Sequence, residues 1–181
     1  MRSRRLSLRL LDADGVGDEA LYVHLYTDPA VMRRIAIDTS PERAARAFQA
    51  VCRHNRREVP GHRTWRIDWH GEDGLAPDAE GVGIAALSRA GDAAELGVML
   101  REGWWNRGVS SEAFTRVLAH AFGPMGLALV HAERPDDDHA LIIDRLLAPF
   151  GFRRTSESAS ATGRCRWELP RIHWRPTATR T

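Results

Sequence analysis

Residues 94–122 read AELGVMLREGWWNRGVSSEAFTRVLAHAF, and they predict a strand, a turn and a long helix in succession. Residues 95–100 are nearly all apolar, as in a strand covered on both faces. Apolar side chains then recur at helical spacing over residues 113–122, before a Gly-Pro pair ends the helix. A strand that leads through a turn into a helix N-terminus presents backbone N–H groups to an anion. The pattern therefore favours a phosphate-bearing ligand.

The turn itself has two interpretations. Gly108 permits backbone conformations that a Cβ atom forbids, and the first amides of the helix, together with its dipole, favour a pyrophosphate. Arg107 adds a positive charge beside them. The same residues also fit an ordinary capped helix, with Ser110 or Ser111 as the N-cap. The local pattern leaves both open.

This turn resembles the acyl-CoA-binding motif of the GNAT superfamily of N-acyltransferases: Arg or Gln, two residues, Gly, one residue, then Gly or Ala. The resemblance is strongest to the RimJ/RimL-like branch, where a Trp-x-x-Gly turn leads into a Thr/Ser-Glu-Ala helix start. The matching residues are Trp105, Gly108, Ser111, Glu112 and Ala113. Trp105 stands where the motif has Arg or Gln, and Ser110 stands where it ends in Gly or Ala. Residues 27–32, TDPAVM, also resemble a segment that follows the first helix in this branch.

The resemblance implies a GNAT-like α+β fold, with a strongly twisted, mostly antiparallel mixed sheet flanked by helices. In this family the central strand and the next one, here residues 127–133, splay apart in a V and admit the pantetheine arm. A length of 181 residues suits one domain, which we predict over residues 1–174, with a flexible tail at 175–181.

The resemblance also implies acetyl-CoA, or another acyl-CoA, as co-substrate, and no metal. The coenzyme-binding residues that it predicts are Val98, Met99, Leu100, Trp105, Asn106, Arg107, Gly108, Val109, Ser110 and Ser111. The family has an Asn and a Ser in the last helix, where this chain has Ala140 and Ile143. Asp138 is the candidate to replace that Asn toward the pantetheine, although a carboxylate accepts and does not donate hydrogen bonds.

The catalytic candidates lie on the central strand. Glu95 matches an acidic position that serves as the base in many relatives, directly or through water; a solvent-facing strand end or an ion pair is the alternative. The backbone N–H of Val98 is predicted to stabilise the oxyanion. The tyrosine acid common on the last helix is missing, because only Tyr22 and Tyr26 occur, and a thiol with a pKa of ~8.5 leaves without an acid. His131 is predicted to be a strand-face or core histidine rather than a catalyst.

These features predict an N-acetyltransferase that moves an acetyl group from acetyl-CoA to a primary amine, either a peptide or protein N-terminus or a small amino compound. One alternative is an N-acyltransferase that uses a longer acyl-CoA. Another is a non-catalytic CoA-binding or interaction module, which the missing Asn, Ser and Tyr favour. The basic residues 53–57, RHNRR, would attract an acidic acceptor or would simply be a solvated helix end.

Charge, cysteine spacing and hydropathy argue against nucleic-acid-binding, disulfide-rich, zinc-binding and membrane proteins. The net charge of +2, the dispersed arginines and the lack of helix-turn-helix spacing argue against nucleic acid as a partner. Cys52 and Cys165 lie far apart without a CxxC pair, so neither disulfides nor zinc are indicated. No run of 18 apolar residues occurs, and residues 1–9 lack the apolar centre of a signal peptide. We expect a soluble cytoplasmic monomer or homodimer with no membrane partner.

Periodicity and capping signals place the remaining elements. The predicted strands are residues 6–10, 64–69, 82–87, 152–157 and 166–172. The predicted helices begin at Asp18, Asp28, Ser40 and Leu141, with Asp28 as an N-cap, Thr39 and Glu42 at capping-box spacing, and residues 136–138 as acidic caps of the last helix.

Overall fold

The computed structural model describes residues 5–35, 39–59, 61–72, 79–155 and 163–176. Their strands are β1 (Leu6–Leu10), β2 (Arg63–Trp69), β3 (Glu80–Ala90), β4 (Ala93–Leu100), β5 (Leu129–Pro135), β6 (Arg153–Thr155) and β7 (Arg164–Pro170). Their α-helices are α1 (Asp18–Thr27), α2 (Pro29–Ile35), α3 (Pro41–Asn55), α4 (Val109–Phe122) and α5 (Ala140–Leu147). Short 3-10 turns occupy Glu102–Trp104, Ala148–Phe150 and Arg171–His173.

The strands form one sheet in the order β1-β2-β3-β4-β5-β7-β6. Strand β2 is antiparallel to β1 and β3, and β7 is antiparallel to β5 and β6, whereas β4 and β5 are parallel. The parallel register joins Ala93, Ala94 and Glu95 to Leu129, Val130 and His131, and β4 continues to Leu100. This mixed, mostly antiparallel sheet with flanking helices confirms the predicted fold class.

The chain forms two compact units. Unit 1 comprises Met1–Leu87 and Gly97–Phe114, and unit 2 comprises Ser88–Leu96 and Thr115–Thr181. Strand β4 and helix α4 each begin in one unit and end in the other. The single domain predicted over residues 1–174 stays a prediction, and most of the predicted tail, residues 177–181, lies outside the described residues.

The core of unit 1 is an apolar cluster formed mainly by side chains of α1 and α3. Its buried members are Leu11, Leu21, Tyr22, Leu25, Val31, Phe48, Cys52 and Ile84. Full burial of side chains of this size stabilises a fold by roughly 1.5–3 kcal/mol each before conformational entropy is subtracted. Met99 and Trp105 pack against the same cluster, so the end of β4 and the turn after it rest on this core.

A buried carboxylate, Asp18 at the start of α1, organises the first two strands. Its side chain is 0% exposed. Arg9 donates to both carboxylate oxygens, at 2.6 and 2.7 Å, and Arg66 donates at 3.1 Å. Burial alone would raise the pKa of Asp18, but the hydrogen bonds from Arg9 and the backbone of Asp12 outweigh it, so the pKa is lowered. The carboxylate is therefore ionised in the folded protein and linked to two arginines.

Replacing Asp18 with Asn should lower the free energy of unfolding by about 3 kcal/mol, because a buried ion pair loses one partner. A folded-state pKa below the unfolded value of ~3.9 makes this contribution present above that pH and lost as pH falls through the folded pKa. Urea unfolding at neutral pH and in acid checks both statements. Asp14→Asn is the control, since Asp14 is 91% exposed; an equal loss in both variants would contradict the account.

Unit 2 packs around Trp167 of β7, which is 2% exposed. The indole Nε1 of Trp167 donates to Asp144 of α5, and Arg154 lies over the ring, with its Cζ 5.7 Å from the centroid. Phe122 at the end of α4 packs against Trp174, with ring centroids 5.2 Å apart. The end of α4, helix α5 and strands β6 and β7 are thus held by aromatic side chains.

Strand β4 differs from the prediction of a strand covered on both faces. Glu95 and Gly97 are exposed, whereas Ala94, Leu96 and Leu100 are buried. The reason is the period-2 alternation of a strand, which places Glu95 and Gly97 on one face. One face of β4 is therefore open where the carboxylate projects.

Helix starts also differ from the prediction. Helix α4 begins at Val109, so Ser110 and Ser111 lie inside its first turn and are not N-caps. Helix α3 is capped by Ser40, whose Oγ accepts from the backbone N–H of Arg43 at 3.3 Å, and the predicted Thr39 cap is wrong. Asp28 does cap α2: its Oδ1 accepts from the backbone N–H groups of Ala30 and Val31, at 2.8 and 3.2 Å.

The segment before α5 corrects a further prediction. Asp137 Oδ1 accepts from the backbone N–H of His139 at 3.0 Å, which caps the preceding turn. Asp136 instead bonds Arg154 and Cys165. Helix α5 starts at Ala140 without a side-chain cap, so residues 136–138 do not cap it as predicted.

Candidate functional site

The turn between β4 and α4 is shaped by two residues in the left-handed region. Asn106 has φ 60° and Gly108 has φ 76°. The 3-10 turn before them is closed by backbone bonds from Trp104 to Arg101 and from Trp105 to Glu102, at 2.9 and 3.1 Å. The backbone N–H of Glu112 then donates to the carbonyl of Gly108 at 3.1 Å, as the first bond of α4. Such a turn brings the chain abruptly from strand to helix.

The start of α4 has the features of an anion site. Amides of the first helical turn lack intrahelical acceptors, and the helix dipole places partial positive charge there. Val109 and Ser110 provide the first residues of that turn. Arg107 is exposed immediately before it, and Arg5 Nη2 lies 3.8 Å from the position that a Cβ of Gly108 would take. The residues that the sequence predicts to bind a diphosphate, Arg107 to Ser110, thus lie at this helix start.

Arg5 was missed by sequence reasoning. It donates to Glu112 of α4 through Nε and Nη2, at 3.2 and 3.0 Å, and to Glu72 through Nη1 at 3.1 Å. Burial lowers the pKa of Arg5, but hydrogen bonds to Glu72 and Glu112 overcome this and raise it. Arg5 and Glu112 are 107 residues apart, so no local pattern in the sequence indicates their pairing.

Trp105 fastens the turn to the end of β4. Its indole Nε1 donates to the carbonyl of Leu100 at 3.0 Å, and the Cζ of Arg34 lies 3.6 Å from the ring centroid. Within unit 1, the predicted strand residues and the predicted turn residues are thus brought together by one side chain. Trp105, which stands where the family motif has Arg or Gln, holds the turn in place.

Trp105→Phe should weaken coenzyme A binding several-fold and lower the free energy of unfolding by about 1 kcal/mol, because the ring stays while the bond to Leu100 is lost. Titration calorimetry and urea unfolding measure the two effects. The matched control is Trp174→Phe, an aromatic substitution in unit 2 outside the turn. Unchanged affinity in Trp105→Phe would show that the bond does not shape the site.

Trp104 carries a second set of ring contacts. Its ring centroid lies 5.0 Å from that of Trp69, and Arg107 Cζ lies 4.9 Å from the Trp104 ring. Arg5 Cζ lies 5.3 Å from the Trp69 ring. The Arg107 guanidinium therefore packs against the ring of Trp104, and Arg107 remains exposed.

The strand residues predicted to bind the pantetheine differ in exposure. Val98 and Met99 are half-buried, and Leu100 is buried. A Cβ at Gly97 would have nothing within 4 Å, whereas a Cβ at Gly83 would lie 2.3 Å from the Met99 carbonyl oxygen. Gly83 thus permits the close backbone approach within the sheet, and Gly97 leaves open space beside β4.

Glu95 lies in unit 2, in register with His131 of β5. His131 in turn pairs with Glu168 of β7. Burial, followed by the charge of Arg166, lowers the pKa of His131. The histidine is half-buried on the strand face, as the sequence predicted, and it borders the carboxylate proposed as a base.

Asp138 is exposed in the turn between β5 and α5, in unit 2. Ala140, at the position of the family Asn, is 2% exposed, and Ile143 is half-buried. Neither of those two side chains can donate a hydrogen bond. The contact of Asp138 with the pantetheine stays a prediction.

The described residues lack two features that would point to other functions. None of their helices combines the length and apolar character needed to cross a bilayer. In the same residues, no group of three His, Cys, Asp or Glu side chains is placed to hold a metal ion.

Comparison with solved structures identifies the fold. An acetyltransferase of the GNAT family from Bacillus anthracis superposes with a TM-score of 0.70 at 18% identity, covering 94% of this chain and 98% of that one. The ribosomal-protein-S5-alanine acetyltransferase from Vibrio fischeri gives 0.69 at 13% identity, covering 97% and 98%. The spermidine N-acetyltransferase from Vibrio cholerae, solved with CoA and spermine, gives 0.68 at 14%, covering 93% and 96%.

At these identities the similarity establishes the fold alone. No protein of curated function shows significant sequence similarity to the chain. The sequence model of the acetyltransferase (GNAT) domain, however, matches residues 5–142, which is well over half of the chain. The protein therefore belongs to the GNAT acetyltransferase family.

Proposed function

We propose that this enzyme transfers an acetyl group from acetyl-CoA to a primary amine, and that it belongs to the RimJ/RimL-like branch of its family. The observation that carries the proposal is the left-handed turn at Asn106 and Gly108, which leads directly into the first turn of α4. Helix N-termini with such turns bind phosphate groups through backbone amides. The family provides the acyl-CoA chemistry, and the geometry of this turn supports it as the proposed site of the diphosphate.

The residues proposed to bind the diphosphate and to pair with the pantetheine backbone all belong to unit 1. The amides of residues 108–111 and the guanidinium of Arg107 bind the diphosphate. The backbone of Val98, Met99 and Leu100 pairs with the pantetheine amides, since an exposed strand edge accepts an extended ligand. Asp138 would accept a hydrogen bond from the pantetheine in place of the family Asn.

The chemistry requires the loss of a proton, an attack and a leaving group. Glu95 would meet the ammonium of the acceptor and take its proton, and the freed nitrogen attacks the thioester carbonyl carbon. The backbone N–H of Val98 stabilises the oxyanion. The C–S bond then breaks, and the thiolate of coenzyme A departs.

The acceptor is a primary amine. A peptide N-terminus fits the RimJ/RimL-like assignment, and the Vibrio fischeri neighbour is described as acting on an alanine of ribosomal protein S5. A small amino compound fits as well, because the Vibrio cholerae neighbour is described as a spermidine N-acetyltransferase. We therefore propose a primary amine as the acceptor. The experiment below distinguishes a peptide N-terminus from a small amino compound.

The experiment is a mass-spectrometric screen with acetyl-CoA and with a longer acyl-CoA. The acceptors are an alanine-starting peptide, spermidine and a panel of free amino acids. We expect an acetylated product from at least one amine, with one free thiol released per acetyl group. Coenzyme A binding without transfer to any amine would favour a non-catalytic binding module. Faster transfer from the longer acyl-CoA would show that acetyl-CoA is not the preferred donor.

A further inference from the structure

One face of the unit 2 sheet carries a row of polar side chains centred on His131. Strand β4 places Glu95 beside His131, and β7 places Glu168 on its other side. Side chains in register on neighbouring strands project to the same face, and the strands lie about 4.8 Å apart. Glu133, two residues along β5, projects to this face too and lies opposite Arg166.

The imidazole of His131 is enclosed by charged groups. Its side chain is 13% exposed, and its Nε2 lies 4.0 Å from Glu133 Oε1. Its Nδ1 is buried and has no hydrogen-bond partner among the residues that the structure describes. Buried polar atoms are nearly always paired, and this nitrogen, like Nδ1 of His54, is an exception.

The carboxylates around His131 are not equivalent. Arg166 donates hydrogen bonds to two of them. Its Nε lies 2.6 Å from Glu168 Oε1, and its Nη1 donates to Glu133 Oε1. Glu95 is exposed and makes no ion pair with any other described residue. Two of the acids are thus neutralised by an arginine, whereas Glu95 faces solvent and is open to a cationic amine.

We propose that His131 is the final proton acceptor of acetyl transfer, receiving through Glu95 the proton of the acceptor ammonium. This inference rests on the proposed function, because it assigns a role within the same reaction. Glu95 attracts the ammonium and lies between it and the imidazole in the row. His131 then holds the proton as an imidazolium beside the carboxylate of Glu95, whose negative charge favours the protonated form.

The proposed acetyl transfer removes two protons from the acceptor nitrogen. The ammonium loses one proton to neutral His131, and the nitrogen lone pair forms the N–C bond with the thioester carbonyl carbon. The C–S bond breaks, and the electron pair goes to sulfur. A second proton leaves the nitrogen and ends on the thiolate, and His131 releases its proton to solvent. The products are an amide, coenzyme A and one proton.

The acid–base character of the row agrees with this role. Burial and then Arg166 lower the pKa of His131, while Glu133, Glu95 and Glu168 oppose the shift. His131 is therefore neutral at pH 7 and able to accept. The charged groups that face it are Glu95, Glu133, Arg166, Glu168 and, at the ends of the row, Arg153 and Arg164.

The test compares His131→Gln with His173→Gln in the full-length protein, using acetyl-CoA and whichever amine of the screen the wild type acetylates fastest. His173 is exposed in a 3-10 turn of the same unit and serves as the matched control. We expect kcat/KM of His131→Gln to fall about 100-fold, within the range for loss of a general base, and that of the control to stay unchanged. Calorimetry should give the same affinity for coenzyme A in all three proteins.

Two readouts separate proton transfer from a structural role. In the wild type, kcat/KM should rise with pH through a pKa below ~6.5, and His131→Gln should lack this limb. Added imidazole should restore part of the activity of His131→Ala. Activity of His131→Gln within twofold of wild type, or a loss equal at every pH without imidazole rescue, overturns the inference. A wild type that acetylates no amine overturns the proposed function as well, whereas an active wild type confines the failure to His131.

Discussion

Replacing Gly108 with Val is expected to raise the dissociation constant of coenzyme A by about 30-fold, or roughly 2 kcal/mol. Gly108 has φ 76°, a region that β-branched residues avoid. The backbone of the valine variant must leave this conformation, which turns the first amides of α4 away from the diphosphate. Titration calorimetry with coenzyme A measures the change directly.

The matched control is Gly91→Val. Gly91 has φ 62°, and a Cβ there would meet nothing within 4 Å, so it reproduces the backbone strain in a turn between β3 and β4. We expect the two variants to lose similar stability in urea unfolding. Only Gly108→Val should lose affinity, and equal affinity in both variants would show that the turn before α4 does not bind the diphosphate.

The second large effect is expected at Glu95. Glu95→Gln should lower kcat/KM about 100-fold at unchanged affinity for coenzyme A, because the amide neither attracts the ammonium nor takes its proton. Its exposed position means that folding does not depend on it. Steady-state kinetics with the acetylated amine of the screen provide the measurement.

Glu58→Gln removes the same charge from an exposed residue outside the proposed site and should leave the kinetics unchanged. Undiminished acetyl transfer by Glu95→Gln would exclude this carboxylate from the proton path. An equal loss in both variants would assign the effect to the overall charge of the protein rather than to the site.

Periodicity and turn chemistry carried much of the fold. The helical spacing from Ala113 to Phe122 predicted α4, and the glycine at 108 predicted the sharp turn before it. These signals are local, so one sequence is enough to read them. The alternation of Glu95 and Gly97 with apolar residues was also present, but overall apolar content concealed the exposed face of β4.

The predicted strand boundaries were wrong where a buried residue lies outside a strand. Leu127 is fully buried but lies in the connection before β5, held by a backbone bond to Ala121 at 3.0 Å. A buried leucine next to a strand has the same pattern as a strand residue, so the predicted strand began two residues before Leu129. The pattern alone does not separate these cases.

Long-range pairs could not be read from the sequence. Asn55 at the end of α3 bonds the carbonyl groups of Leu11 and Thr64, at 2.9 and 2.8 Å. Arg5 reaches Glu112 beside the proposed diphosphate site. The register that sets His131 beside Glu95 also depends on strand pairing. Such contacts depend on how the strands and helices are arranged in space, and a local sequence motif does not specify that arrangement.

A crystal structure grown with acetyl-CoA would show directly where the coenzyme binds. We expect diphosphate oxygens about 2.7–3.2 Å from the backbone nitrogens of residues 108–111, with the pantetheine along residues 98–100 of β4. A coenzyme bound elsewhere, with no phosphate at the first turn of α4, would contradict it.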